Sequence, residues 1–410
     1  MFDIHDSSLR LQPAKPSHYK LSPVVQPQWR LPDLWHRAAD DELEALRQRL
    51  CESYGVRHCL LLDRARSGLY LLCRAFGLDD EWILTSVMHR PSAIVLSNHA
   101  SRLAFADVNE DMTIDPASVE RLLTDRTCAI LATHTYGRAA DIIALRKLAD
   151  KHGLALIENA VHMAGKSQVQ GRTLGSWGDA SIVSFNVDKP LGGILGGALL
   201  TNRDDIWRAV NTQQLGGPNT KEMRERIRTS FTAYRLKPLM LRLPAGRQHR
   251  GTADGLAEIE SVGISIYERY TPRDIHPRQA RVALSCMDRE ERSVVHRTSN
   301  AERLNGQLTH DDRYGLPQST LERPHTYTYY PLLVRKGQRL ELGEHLANAG
   351  IESKWRLAPL HTQTGFTEVR RDDLTRSEKL WSQHLLLPAG PSITSAQIDY
   401  LAKTLLSWKG

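Results

Sequence analysis

Between residues 40 and 201 the apolar side chains follow two alternating patterns. Short, nearly continuous apolar runs stand at His58–Leu62, Trp82–Leu84, Arg102–Ala106, Cys128–Ala132, Leu154–Ile157 and Ala180–Phe185. Between them, apolar residues recur three and four positions apart among charges, as in Leu43, Leu46 and Leu50. A short apolar run bounded by turn residues fits a strand buried on both faces, and the wider spacing fits an amphipathic helix. The spacing predicts helices over residues 40–54, 69–76, 91–99, 117–123 and 141–152. Strands alternating with helices in this way predict an α/β fold with a doubly wound, mainly parallel sheet.

Outside this region the pattern changes. Residues 1–40 carry five prolines and little periodicity, which reads as an extended arm that packs on a partner or frays. Residues 41–265 are expected to form the large domain, with a basic inserted segment over 216–250. Residues 221–250 hold nine Lys or Arg against two Glu, and Pro238 argues against one uninterrupted helix there. The segment reads as a flap that meets an anionic ligand, a membrane surface or a partner, or more simply as an inserted helical pair with solvated arginines. Residues 266–410 read as a smaller α+β domain. It holds a long helix over 277–305, an aromatic-rich strand over 327–334, a helix over 341–349 stopped by Gly350, an extended stretch over 352–360 and a closing helix over 395–408.

Polar residues collect where the predicted strands end: Thr85-Ser86 and His89 after one, Thr133-His134-Thr135-Tyr136 after another, Glu158-Asn159 after a third. Open parallel sheets place their ligands at the carboxyl ends of their strands. The last run, Ala180–Phe185, leads to Asp188-Lys189 and a turn rich in glycine, Gly192-Gly193 and Gly196-Gly197. A lysine amine at such a place is suited to forming a Schiff base with a carbonyl group. Taken singly, Lys189 reads more simply as a surface lysine beside a turn. Asp63-Arg64-Ala65-Arg66-Ser67-Gly68 joins a strand to a helix, where backbone N–H groups and the helix dipole can meet a phosphate. The alternative is a plain turn in which Asp63 or Ser67 caps the helix.

Composition narrows the partners. A net charge of +7 favours anionic ligands, but no nucleic-acid motif accompanies it. Five scattered cysteines without a CxxC pair argue against a disulfide frame or a zinc site and for a reducing, cytoplasmic setting; no metal is expected. No apolar run approaches the ~18 to 20 residues that a membrane span needs.

In order, these elements resemble the DegT/StrS-type aminotransferases, a fold-type I pyridoxal-phosphate family, over roughly residues 40–405. The resemblance rests on His134-Thr-Tyr-Gly-Arg-Ala-Ala-Asp141, similar to HxYGxxxD, and on Ile157-Glu-Asn-Ala-Val-His162, similar to IEDAAH. It also rests on Gly171-Arg-Thr-Leu-Gly175, on Ser184-Phe185 with Lys189 (similar to SFxxxK), on Gly196-Gly197, and on Gly350-Ile351 and His361. The resemblance implies a homodimeric enzyme that moves an amino group from an amino acid donor to a keto-sugar or related keto substrate. It implies that Lys189 holds pyridoxal 5'-phosphate as a Schiff base and shuttles the proton. Ser184 and the Ala65-Arg66 turn would hold the phosphate, His89 would stack over the pyridine ring, and His162 would stand beside the phenolic oxygen.

Several positions depart from the family pattern. Asn159 stands where an aspartate should face the pyridine nitrogen, so the ring is expected to be a weaker electron sink unless Glu158 or a neighbour compensates. Arg64-Ala65-Arg66 replaces a Ser-Gly-Thr-type stretch, and its arginines would substitute charge-assisted contacts. Leu195 replaces a glutamate. In Tyr270-Thr-Pro-Arg-Asp274, Pro272 cannot reach the other subunit's phosphate, whereas Arg273 can. Arg356 stands in place of a histidine, where it would bind a substrate carboxylate, meet a nucleotide diphosphate or face solvent. Besides transamination, these departures leave open a non-transaminating pyridoxal-phosphate reaction on an amino acid (elimination, replacement, decarboxylation or racemisation), and a non-catalytic partner subunit.

Overall fold

The computed structural model describes residues 16, 19–21, 24, 25, 27–35, 41–76, 80–99, 102–232, 270–335 and 337–410. Most of the expected amino-terminal arm, the basic stretch beyond residue 232 and the 265/266 domain boundary lie outside the described residues.

In chain order the elements begin with α1 (Leu31–Trp35), α2 (Glu42–Tyr54), β1 (His58–Leu62), α3 (Ala65–Phe76), β2 (Glu81–Thr85), α4 (Arg90–His99) and β3 (Arg102–Ala106). They continue with α5 (Pro116–Leu122), β4 (Thr127–Thr133), α6 (Ile142–His152), β5 (Ala155–Asn159), the short pair β6 (Gln168–Val169) and β7 (Arg172–Thr173), then β8 (Ala180–Ser184) and β9 (Gly197–Thr201). After α7 (Asp204–Asn211) and α8 (Thr220–Phe231), the carboxyl part holds α9 (Pro277–Leu308), β10 (Tyr314–Gly315), β11 (Tyr330–Val334) and α10 (Arg339–Asn348). It ends with β12 (Arg370–Arg371), α11 (Thr375–Gln383), β13 (His384–Leu387) and α12 (Ser395–Ser407).

The central sheet has eight strands in the order β1-β9-β8-β5-β4-β2-β3-β12. All its pairings are parallel except those of β9, which runs antiparallel to both β1 and β8. Strands β2, β5, β8 and β9 are buried at every residue, as expected where helices cover both faces of a parallel sheet. One core lies on the Leu50, Ile130 and Leu156 face and a second on the Leu72, Leu131 and Ile157 face. The α/β architecture with a mainly parallel sheet therefore agrees with the sequence pattern.

Local signals set several boundaries. Asp115 caps α5 by accepting from the Ala117 amide, with Pro116 in the first turn where its missing N–H is harmless. His276 and Gln279 form a reciprocal capping box at the start of α9, and Thr394 and Gln397 do so for α12. The carboxyl part has its own three-stranded sheet, β10-β11-β13, and its own core around Leu304, Leu332 and Leu401. It also returns one strand to the large sheet, because Arg370 and Arg371 pair with Ala104 and Phe105.

The described parts of the arm pack on this same chain. Leu21 joins the carboxyl core, Val24 and Val25 lie in a cluster with Tyr136 and Tyr329, and Trp29 is fully buried against Val187, Ile194 and Met223. These residues therefore lie as a strap across both parts of the molecule, where the sequence suggested packing on a partner or fraying.

Candidate active site

The carboxyl ends of β2, β4, β5 and β8 converge with the loop that follows β8. Side chains alternate along a strand, so Glu158 and Asn159, adjacent at the end of β5, face opposite sides. Glu158 is fully buried and accepts from the backbone amides of Gly175 and Gly178, each at 2.7 Å. His134 uses Nδ1 to accept from the Ala140 amide at 3.1 Å, so its Nε2–H donates to Glu158 at 3.1 Å. With three donors around it, Glu158 serves the fold and does not compensate for Asn159. The Asn159 amide donates weakly to Thr133 Oγ1 at 3.4 Å, and its Oδ1 is buried without a protein partner.

Lys189 sits in a tight turn in which its amide bonds Asn186 O and its carbonyl accepts from Gly192 N. From the amino-terminal strap, the Gln28 side chain donates to Pro190 O and reaches Lys189 O. The amine is 2.8 Å from His162 Nε2 and 3.4 Å from Asp188 Oδ2. Burial lowers the Lys189 pKa, as does the nearby charge of Arg356, while Asp188 opposes both. Burial and the charge on Lys189 push the His162 imidazole well below its ordinary value. Neutral His162 therefore accepts from the amine at Nε2, which leaves the proton on its buried Nδ1, an atom without a protein partner.

The sequence assigns Asp188 no role, yet it ties the site together. Its Oδ2 accepts from Tyr329 OH and from Arg356 Nη1, both at 2.7 Å. Burial alone would raise this carboxyl, but the charges of Lys189 and Arg356 and the two hydrogen bonds outweigh it and hold it well below the usual carboxylate range. Arg356 is thus directed inward, against the Tyr329 ring at 5.3 Å. Of its three expected environments, solvent is the one this geometry disfavours. The position of Asp188 beside Lys189 was the available signal. Tyr329, more than a hundred residues away, gave none.

The expected phosphate turn is assembled at the start of α3. Leu62 and Ser184 both pair with Gly197, which brings Ser184 next to the Ala65-Arg66 turn. Ser67 donates to Asp63 Oδ1 at 2.6 Å, so Tyr270, whose OH is 2.7 Å away, donates to Ser67. Arg66 lies over the Tyr270 ring at 5.7 Å. Its neighbour Arg64 pairs with Glu222 of α8.

His89 follows β2, with Nδ1 3.1 Å from Ser92 Oγ. His89 is solvent-accessible, yet the protein gathered around it disfavours the charged imidazole, and the charges on Lys189 and Arg66 add to this, so its pKa is lowered. Arg273 is braced on its own chain: its backbone amide meets Asp63 Oδ1 at 3.4 Å and its guanidinium donates to Gly217 O at 3.2 Å. His361 lies at the junction with the carboxyl part, bonded to Ser86 and to Glu378 at 2.8 Å, and serves packing there.

Pyridoxal phosphate fits these residues by the chemistry of the donors. An amine, a buried carbonyl oxygen at Asn159 and a buried N–H at His162, the last two unsatisfied by protein, stand at adjoining strand ends beside a helix-start turn. The amine matches an aldehyde, the His162 N–H a phenolic oxygen and the helix-start turn a phosphate, while the Asn159 amide meets a ring nitrogen through its oxygen when that nitrogen carries a proton and through its NH2, turned over, when it does not.

A model of the DegT/DnrJ/EryC1/StrS aminotransferase family matches residues 28–240 and 274–406. A dTDP-3-amino-3,4,6-trideoxy-alpha-D-glucose transaminase from Micromonospora megalomicea is 28% identical over 352 residues, covering 83% of this chain and 82% of that protein. In fold, the chain is similar to Helicobacter pylori PseC, an aminotransferase involved in the biosynthesis of pseudoaminic acid. That likeness has a TM-score of 0.73 at 19% identity and covers 94% and 98% of the two chains. It is also similar to NtdA from Bacillus subtilis, solved with bound PMP, with a TM-score of 0.68 at 20% identity and coverage of 90% and 77%.

Proposed function

Because the chain belongs to the DegT/DnrJ/EryC1/StrS aminotransferase family of pyridoxal-phosphate enzymes, we propose that it transfers an amino group from an amino acid donor to a keto sugar. The observation that carries this reading is the placement of the Lys189 amine between His162 and Asp188, at the strand end that adjoins Asn159. The sugar-transaminase relative supports the substrate class.

When bound, pyridoxal phosphate supplies an aldehyde that takes up the amino group and a ring that withdraws electrons from the reacting carbon. Lys189 would hold the group covalently and, once released, would serve as the general acid and base for the reacting carbon. Burial lowers the amine's pKa, the direction that suits a group which must give and take a proton. His162 keeps Lys189 oriented through Nε2 and presents Nδ1–H to the phenolic oxygen. Ser184, Ala65 and Arg66 receive the phosphate, and His89 covers the ring. Asn159 would stand at the ring nitrogen with a neutral amide, and Arg356 and Arg273 would receive anionic groups of the substrate or cofactor. We further infer a cytoplasmic homodimer. Among the described residues no helix is long and apolar enough to cross a membrane, and the five cysteines are unpaired.

The test is an absorbance spectrum of the purified protein before and after glutamate, with Lys189→Ala as control. A visible band that depends on Lys189 and is converted by glutamate to the pyridoxamine spectrum is the expected result. The neutral amide at Asn159 favours one second reading, a pyridoxal-phosphate reaction that needs less electron withdrawal by the ring. A Lys189-dependent band that no amino donor converts would transfer the assignment to that reading.

A further inference from the structure

We propose that Asp188 supplies, at the lysine end of the site, the negative charge that Asn159 does not supply at the ring-nitrogen end. The proposal rests on Lys189 being the cofactor lysine and concerns how this chain tunes it.

Three observations support the assignment. First, among the described residues no carboxylate bonds Asn159: the side chain is a neutral amide, and Glu158 faces away with three donors around it. Second, among the described residues Asp188 is the only carboxylate within ion-pair range of Lys189. Third, Asp188 is fixed in place. Tyr329 and Arg356, both contributed by the carboxyl part, donate to Oδ2 at 2.7 Å, and the side chain is only 8% exposed.

The other groups facing the lysine do not duplicate this role. His162 touches the amine but is neutral, His89 is held neutral in the same way, and Arg356 is a cation. A carboxylate beside an amine or imine nitrogen favours its protonated form. While Lys189 is joined to the cofactor that nitrogen is its own, and holding it protonated makes the imine carbon a better electrophile for the incoming amino group, without a protonated ring. Asp188 is therefore a positioning residue that acts through Lys189. Arg356, on the other side of the carboxylate, works against it.

The two residues predict opposite signs. In the holoenzyme, the pH titration of the Lys189-dependent absorbance band should move to lower pH in Asp188→Asn, by about tenfold or more in proton affinity. It should return towards the original in Asp188→Glu and move to higher pH in Arg356→Gln. A carboxylate that served only to tie the two parts of the molecule together would leave the titration in place, or shift it the same way in both variants, and either result overturns the proposal. Should Asp188→Asn not fold, the Arg356→Gln shift decides alone: a rise supports the proposal, and no change or a fall overturns it. The acylation rate of Lys189 by acetic anhydride, followed against pH by peptide mass spectrometry on the cofactor-free chain, provides a second readout. A shift there without any cofactor band would retain the Asp188–Lys189 coupling and reject the aminotransferase assignment. An unchanged profile in Asp188→Asn would reject the coupling itself.

Discussion

Glu158 and Asn159 are neighbours in sequence but lie on opposite faces of β5, with Glu158 closed off by two glycine amides and His134 while Asn159 Oδ1 has no protein partner. The acid at the end of this strand thus belongs to the scaffold, and the amide belongs to the site. Asn159→Asp is expected to speed the half-reaction with an amino donor at least tenfold, because an anion there would keep the ring nitrogen protonated. Single-turnover absorbance measures it, and an unchanged or slower rate would show that the site is tuned for a neutral group. Glu158→Gln is expected to lower stability by about 2–4 kcal/mol, since an amide cannot accept at both oxygens. Urea unfolding reads this directly.

Gly197 carries a different constraint. A Cβ there would meet Ala65 N at 2.4 Å, Ala65 Cα at 2.7 Å and Val183 O at 2.7 Å, all backbone atoms that cannot swing aside. Gly197→Ala should therefore push the helix-start turn away from Ser184. The expected result is a loss of pyridoxal-phosphate affinity of tenfold or more, with about 1–3 kcal/mol of destabilisation from overpacking. Fluorescence titration with the cofactor separates the two effects.

The strap makes a prediction about the arm. Trp29 is fully buried in the cluster behind the Lys189 loop, and its neighbour Gln28 donates to the loop carbonyls. Trp29→Ala should cost about 3–5 kcal/mol. Gln28→Ala, which strands the Pro190 carbonyl, should cost about 1–2 kcal/mol and slow attachment of the cofactor to Lys189, a difference that thermal melts and absorbance kinetics resolve.

The sheet is legible because its strands are short apolar runs separated by helices, and Lys189 stands out as a candidate because several spaced motifs agree in order. Strand β9 was harder to see, since Ala198, Leu199 and Leu200 follow a glycine turn and their pairing with β1 and β8 is set by distant chain. The network around Asp188 was out of reach for the same reason: its anchors, Tyr329 and Arg356, come from the carboxyl part. The strap was obscured by its prolines. They suppress periodicity, while Trp29 buries itself through a single side chain that leaves no repeating pattern.

Glu290 in α9 gives the molecule a pH dependence with a definite sign. Its carboxyl accepts from the Gly165 amide at 3.1 Å and is otherwise deeply buried, and burial raises its pKa to about 7 from an ordinary value of 4.5. Between those two values the folded chain holds a proton that the unfolded chain has lost, so this group's contribution to stability falls as pH rises from about 4.5 to about 7 and is level above that. The span corresponds to about 3 kcal/mol at most. Glu290→Gln keeps an acceptor for Gly165 and removes the ionisation. Urea midpoints taken from pH 5 to 8 should therefore decline with pH more steeply in the wild type than in the variant, with the variant the more stable of the two at pH 8. Parallel profiles would mean that Glu290 ionises in place, and that the loop carrying Gly165, just beyond His162, opens to water.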